Sequence, residues 1–290
     1  MPSQSEQKVV GVIGGSGLYE IEGLTDIKRV AVDTPFGAPS DEYLTGILDD
    51  TLMVFLPRHG RGHKVTPSEI NYRANIYGMK KLGVERLISV SAVGSMREDI
   101  KPGDMVIVDQ FFDRTSKRVS SFFGNGAVGH VEFAEPVCSH LAETLYNASV
   151  KAGAKVHKGG TYICIEGPHF STKAESKIYR SWGVDVIGMT NIPESKLARE
   201  AEICYATVAL STDYDCWHEG EESVTVDMIL ETLGNNVAMA RSIIKTVVPM
   251  IGDARECGCA EAMEFALLTE KDAIPEKTRQ DLDLIIGKYL

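Results

Sequence analysis

Two aspartates one residue apart, Asp213 and Asp215, close an apolar run that reads YATVALSTDYDCW over 205–217. Buried carboxylates are costly unless something pairs with them. Acids at the mouth of a buried strand therefore point to a bound polar group or to a capped turn. If the strand continues through them, its period of two sets both side chains on one side. The alternative is a loop-capping aspartate beside a solvated one. Local sequence leaves both readings open.

Three further stretches carry chemistry. GVIGGSGL (11–18) has glycines that would let backbone N–H groups converge on an anion, with Ser16 adding a hydroxyl. It lacks the third glycine of a dinucleotide loop and the Gly-Lys-Ser/Thr of a P-loop, so it reads as an anion loop or a tight turn. PRHGRGHK (57–64) packs Arg58, His59, Arg61, His63 and Lys64 into an otherwise acidic chain. It reads as a positive socket in which an arginine forks onto an anion, or as an exposed basic loop. The glycines at 60 and 62 argue against a helical metal site there. Glu166-Gly-Pro-His-Phe170 reads as a turn or as an aromatic wall for a flat ligand. Cys257-Gly-Cys259 has no ligand cluster beside it in sequence, and reduced thiols are the expectation.

The elements that position these residues alternate. Short Val- and Ile-rich runs at 9–15, 51–60, 86–94, 105–113, 161–167, 185–190 and 204–213 read as strands. Helical patterns lie at 68–82, 135–152, 171–182, 193–202 and about 225–250, with Pro136 at a helix start and Gly153 and Gly183 as stops. The alternation predicts an α/β fold, a central, mostly parallel or mixed sheet flanked by helices. In such sheets ligands gather at the carboxyl ends of the strands, which is where every loaded stretch falls. A tail helix sets Leu282, Ile285, Ile286 and Tyr289 on one face that needs a partner in this chain or another.

The 290 residues, 43% hydrophobic and 24% charged, suit one soluble globular domain over 1–290 with a helical tail at about 252–290. A net charge of −11 argues against general nucleic-acid or anionic-membrane binding. The polar start MPSQSEQKVV shows no signal peptide, and six cysteines in this length suggest no disulfide framework, so the cytoplasm is the expected compartment.

Taken together, IGGSGLY, DTPFGAPS, RHGRGH, NYRAN, SAVGSMRE, PGDMVIVDQFFDRT, HVEFAEP, IEGPHFST, WGVDVIGMT and STDYDCW resemble the trimeric purine nucleoside phosphorylase family, in its methylthioadenosine-cleaving branch. The resemblance runs over 9–251 and is weaker in the tail. It implies phosphate-dependent cleavage of methylthioadenosine to adenine and 5-methylthioribose 1-phosphate. Phosphate is then a co-substrate, with no cofactor and no metal. By the matching motifs, Ser16, Arg58, His59, Ser91, the Ala92 backbone and Thr190 would hold phosphate. Met189 would pack on the ribose, Phe170 would line the nucleoside pocket, and Val226, Ile229 and Leu230 would form an apolar wall. His130 would come from a neighbouring subunit of a trimer or dimer of trimers, and Asp213 and Asp215 would be the catalytic, purine-binding acids. His169 stands where the family often has arginine.

Overall fold

The protein's structure is a computed structural model that describes residues 7–15, 17–218 and 226–290, with the backbone alone at 226–230. Ser16 lies outside the described residues, and so do the side chains of Val226, Ile229 and Leu230.

The described strands are β1 (Val9–Gly14), β2 (Thr25–Val30), β3 (Tyr43–Leu48), β4 (Thr51–Pro57), β5 (Arg86–Ser95), β6 (Met105–Val108), β7 (Gln110–Arg114), β8 (Val156–Lys158), β9 (Thr161–Ile165), β10 (Val186–Gly188) and β11 (Cys204–Asp213). The helices are α1 (Tyr72–Lys81), α2 (Ser139–Lys151), α3 (Lys173–Ser181), α4 (Asn191–Glu200), α5 (Val226–Val247) and α6 (Glu276–Ile286). The sheet is mixed. β1 pairs in parallel with β4 and β5, and β5 in parallel with β11. β10 runs antiparallel to the end of β5, and β6 antiparallel to β11.

β5 is the strand on which the site depends. Arg86–Ser89 pairs with β1, and Arg86–Gly94 pairs with β11 on the other side. Its last residues, Gly94 and Ser95, turn to pair with β10. β5 thus feeds two directions of sheet, and its second half opens where they diverge. Side chains on both faces are buried, as expected when helices cover both sides. Val10, Val12, Ile88 and Val208 face α2 and α5 through Leu141, Leu145, Ile243 and Ile244. Ile13, Leu56 and Leu87 face α1, α4 and α6 through Ile76, Met79, Leu197 and Leu282.

Several boundaries depart from the sequence reading. The expected strand at 105–113 is two strands, β6 and β7, broken at Asp109, whose carboxylate accepts the Gly160 N–H. α2 begins at Ser139 with Cys138 as its N-cap, so Pro136 precedes the helix rather than opening it. Gly153 and Gly183 do follow helix ends with positive φ of 82° and 78°, the left-handed C′ conformation that glycine adopts without steric cost. The tail helix finds its partner in this chain: Leu282, Ile285 and Ile286 of α6 are buried in the cluster that holds Tyr77 and Met79. Among the described residues no helix is long and apolar enough to cross a membrane.

Candidate active site

At the carboxyl ends of β1, β4, β5, β10 and β11 lies a cavity of about 500 Å³. Its walls include Gly15, Gly17, Arg58, His59, Ser91, Ala92, Phe170, Met189, Thr190, Asp213 and Asp215. One fold feature therefore gathers residues from six stretches of sequence.

The floor is ionic. Arg58, the first residue after β4, is 2% exposed. Its Nε and Nη2 fork onto the Glu194 carboxylate at 2.7 and 2.8 Å. Nη2 also donates to Ser89 Oγ at 2.7 Å and Nη1 to the Val90 carbonyl at 3.1 Å. Glu194 Oε1 further accepts from Ser89 and from the Tyr205 hydroxyl, each at 2.9 Å. Burial alone would weaken the guanidinium's hold on its proton. The Glu194 charge outweighs it and drives the value up, so Arg58 stays charged. The sequence reading assigned Arg58's fork to an external anion; Glu194 occupies that fork. A guanidinium has five N–H groups, and one Nη1 hydrogen has no acceptor among the described residues.

His59 behaves differently. Burial, opposed by its bond to Val65 and reinforced by the Arg58 charge, lowers its pKa to about 4. Its Nδ1 lies 2.8 Å from the Val65 carbonyl, which can only accept, so the neutral ring carries its proton there. Nε2 is left as an acceptor. His63, in the left-handed region at φ 52°, stacks on His59 with centroids 4.3 Å apart. Arg61 turns away to Asp41 at 3.1 Å, so only Arg58, His59 and His63 of the basic stretch line the cavity.

Above the ion pair runs a chain of hydroxyls. Ser91 Oγ lies 3.0 Å from Thr190 Oγ1 and 3.1 Å from the Tyr162 hydroxyl. Burial pushes Tyr162 up to about 12, so it remains neutral. Its approach needs the glycine at the end of β10: a Cβ on Gly188 would sit 2.0 Å from the Tyr162 hydroxyl. The loop carrying Met189 and Thr190 is held by Arg118, which donates to the Met189, Ile192 and Glu166 carbonyls at 2.7, 2.6 and 2.8 Å.

The carboxyl end is built by a bulge. Ser211 pairs with Val93 and Asp213 with Gly94, so Thr212 is the extra residue, and the strand re-aims as it ends. The strand ends where the sequence reading ended it and does not continue through Asp215. β11 stops at Asp213, and Asp215 takes φ 52°. A turn joins the pair instead: the Asp215 N–H donates to Asp213 Oδ1 at 2.7 Å, and the Thr212 hydroxyl donates to Oδ2 at 2.7 Å. Asp213 thus caps a turn and lines the cavity at once, and the two sequence readings are not exclusive. Burial, and then the Asp213 charge, raise the pKa of Asp215. Gly94 leaves room for them, since a Cβ there would lie 3.0 Å from Asp213 Oδ1.

Other expected positions scatter. Phe170 stands at the mouth, 81% exposed, just before the capping box of Thr172 and Glu175 that starts α3. His130 is exposed and absent from this chain's cavity wall. Val226, Ile229 and Leu230 fall on the first turns of α5, whose side chains are not described. Farther along α5, Leu233 and Val237 line the cavity with Leu18. Sequence reasoning missed those two, although their spacing from Ile229 by four and eight residues is that of one helix face. It also missed Glu194, Ser89, Tyr162 and Arg118, for which no local pattern gives notice.

Comparison with known proteins identifies relatives of the whole chain. The sequence profile of the Phosphorylase superfamily matches residues 9–249. The chain is 64% identical over 285 residues to the S-methyl-5′-thioadenosine phosphorylase of Geobacter sulfurreducens, covering 98% of this chain and 100% of that one. A crystal structure of a methylthioadenosine phosphorylase from an antarctic soil metagenomic library is 47% identical, with TM-score 0.93, over 97% of this chain and 99% of that one. A methylthioadenosine phosphorylase from Schistosoma mansoni, solved in complex with adenine, is 38% identical, with TM-score 0.80, over 89% and 96%.

Two outcomes follow from the floor of the cavity. Glu194→Ala leaves a buried guanidinium without its counter-ion, and should cost about 3–5 kcal/mol in urea unfolding; a change within about 0.5 kcal/mol would remove the pair from the frame. His59 has a folded pKa of about 4, below the ordinary histidine value of 6.5. The unfolded chain therefore binds more protons between those values, and stability should fall as pH drops through that window. In phosphate-free buffer His59→Gln should gain on the parent chain in Tm as pH falls from 6.5 towards 4. Parallel Tm–pH curves would contradict a neutral, desolvated ring.

Proposed function

The chain belongs to the phosphorylase superfamily, and on that premise we propose that its cavity cleaves the N-glycosidic bond of 5′-methylthioadenosine with inorganic phosphate. The products are adenine and 5-methylthioribose 1-phosphate. One observation carries the reading. A single cavity is lined by hydroxyls, glycine backbone and the Arg58–His59 pair, by paired carboxyls, and by apolar side chains. Ser91 and Gly94, both on β5, are three residues or about 10 Å apart.

The bond breaks through an oxocarbenium-like state. Phosphate is nucleophile and counter-charge together, provided fixed donors hold it in line. In our reading Thr190, Ser91, the Ala92 backbone, Ser16 and the remaining Nη1 hydrogen of Arg58 supply those donors. The acceptor Nε2 of His59 suits the one P–OH of monohydrogen phosphate. Electrons move into the purine, which gains a proton or a hydrogen bond at N7. Asp213 reads that edge. Asp213 is the proposed donor to N7, and Asp215, whose proton affinity is raised by burial, orients or tunes it. Met189 packs on the ribose, and Phe170 covers the nucleoside. Leu233 and Val237, with Val226, Ile229 and Leu230, wall the methylthio group, which has little to offer a hydrogen-bonding wall.

The working unit in this reading is a homotrimer or a pair of trimers, with His130 completing a neighbour's pocket. Support comes from exposed apolar surface. Phe170 is 81% exposed at the mouth, and Phe265, Leu268 and Val128 are 89%, 62% and 48% exposed. The last three flank the bridge on which the His130 N–H donates to the Ala266 carbonyl at 2.8 Å. The tail helix no longer supports an oligomer, because its apolar face is covered within the chain.

The test is adenine release from methylthioadenosine with and without phosphate. An ionised carboxylate accepts from a 6-amino group and repels a 6-oxo group. Asp213→Asn should lower kcat/KM for methylthioadenosine by about a hundredfold or more, about 2.7 kcal/mol, and narrow the gap to methylthioinosine. Asp215→Asn should cost less if it only tunes its neighbour. Wild-type activity and selectivity in Asp213→Asn would show that the carboxylate does not read the purine. Light scattering should find a trimer or hexamer at assay concentration, and a fully active monomer would refute the shared pocket.

A further inference from the structure

Sulfur meets sulfur at the other end of β11. Cys204 opens that strand, Cys138 is the N-cap of α2, and Cys257 and Cys259 straddle Gly258 at the 3₁₀ turn Gly258–Glu261 in the tail. All four Sγ atoms lie within 4.8 Å of one another, and those of Cys204 and Cys257 are 3.4 Å apart. All four are free thiols; Cys138, Cys204 and Cys259 are buried and Cys257 is partly so. In sequence, Cys257-Gly-Cys259 had no companions. The fold brings it two, one of them 53 residues away.

We propose that Cys138, Cys204, Cys257 and Cys259 bind one thiophilic divalent cation, of which Zn²⁺ is the type, in a closed four-sulfur site. A tetrahedral zinc with Zn–S near 2.3 Å has sulfur–sulfur edges of about 3.8 Å. The cluster is already gathered to that scale with no other function assigned to it. Four thiols give their protons to solvent as four metal–sulfur bonds form, leaving a site with two net negative charges. Two guanidinium groups stand beside them; both also pair with Glu85, at 3.1 and 3.4 Å, which leaves one net positive charge to offset the site. Arg86, 4% exposed, and Arg255 line the same small crevice as Cys138, Cys204 and Cys257. Both are steered by carbonyls, Arg86 by Asp253 and Arg255 by Glu202, each at 2.9 Å. The crevice, about 20 Å³, gives an ion a way in.

The site is structural. Cys204 and Asp213 are the first and last residues of a ten-residue strand, which puts the sulfurs about 30 Å from the purine-reading end. The metal's task is to fasten the tail to the sheet. A pair of disulfides is the competing fate of the same four atoms, and the experiment separates them.

The full chain is purified in thiol reductant with no metal added, and its metal content and reactive thiols are measured. The expected result is about one zinc per chain, with the four cluster thiols protected until chelator is added, Cys164 being shielded by its own burial. Replacement by Co²⁺ should give the visible bands of a tetrahedral thiolate site. Chelator should lower Tm in the parent chain. The double variant Cys257→Ser/Cys259→Ser should lose the metal, start from that lower Tm, and keep its nucleoside turnover. A reduced chain with no metal above background would overturn the proposal. So would an intact mass short by the hydrogens of S–S bonds, or a metal that the double variant retains. Metal content of the parent chain decides the matter even if the variant fails to fold.

Discussion

The Arg58–Glu194 pair is the constraint from which the rest of the site is built. It joins the end of β4 to α4, and through Ser89 and Tyr205 it reaches β5 and β11. The side chains of both partners are almost fully buried, at 3% and 0% exposure. Removing two charges from water is expensive, and the cost is recovered only if geometry and hydrogen bonding are near complete. Here both Glu194 oxygens and all but one of the guanidinium hydrogens are engaged. Four elements are consequently held in a single arrangement, and the strand ends that carry Ser91, Thr190 and Asp213 inherit it.

β5 turns that rigidity into a cavity. β5 keeps β11 on one side from Arg86 to Gly94, but on the other side β1 pairs only as far as Ser89 and β10 only from Gly94, so the stretch between has no neighbour there. Where the sheets part, backbone and side chains are left facing a gap. Two glycines keep the gap usable: Gly188 admits the Tyr162 hydroxyl, and Gly94 leaves room beside Asp213. The bulge at Thr212 then points the last residue of β11 inward. Packing, register and chemistry here are one problem solved by the same few residues.

Much of this was legible in the sequence because strand ends advertise themselves. An apolar run that stops at Arg58, Ser91, Met189 or Asp213 marks both the element and its loaded terminus, and all four line the cavity. The partners were not legible. Glu194 lies 136 residues from Arg58, inside a helix whose pattern speaks only of burial. Cys138 and Cys204 sit in apolar surroundings that give no hint of Cys257. β2 and β3 escaped for a different reason: β2 is almost wholly exposed and carries Asp26, Lys28 and Arg29, while β3 is interrupted by Gly46. An edge strand with polar side chains lacks the burial pattern on which strand reading relies.

The occupied fork of Arg58 bears on how the proposed chemistry works. A free arginine would pair tightly with phosphate and spend its negative charge before bond breaking begins. With Glu194 opposite, the guanidinium contributes position and one leftover N–H but little net field. His59, held neutral by burial, adds no positive charge either. In the proposed reading, phosphate in such a cradle is held mainly by hydroxyls and backbone. Those donors fix its position while leaving most of its charge to face the growing positive charge on the sugar. Only interactions that strengthen in the transition state accelerate the step. A cradle of neutral donors over a pre-neutralised ion pair therefore favours the oxocarbenium–phosphate attraction over ground-state anion binding.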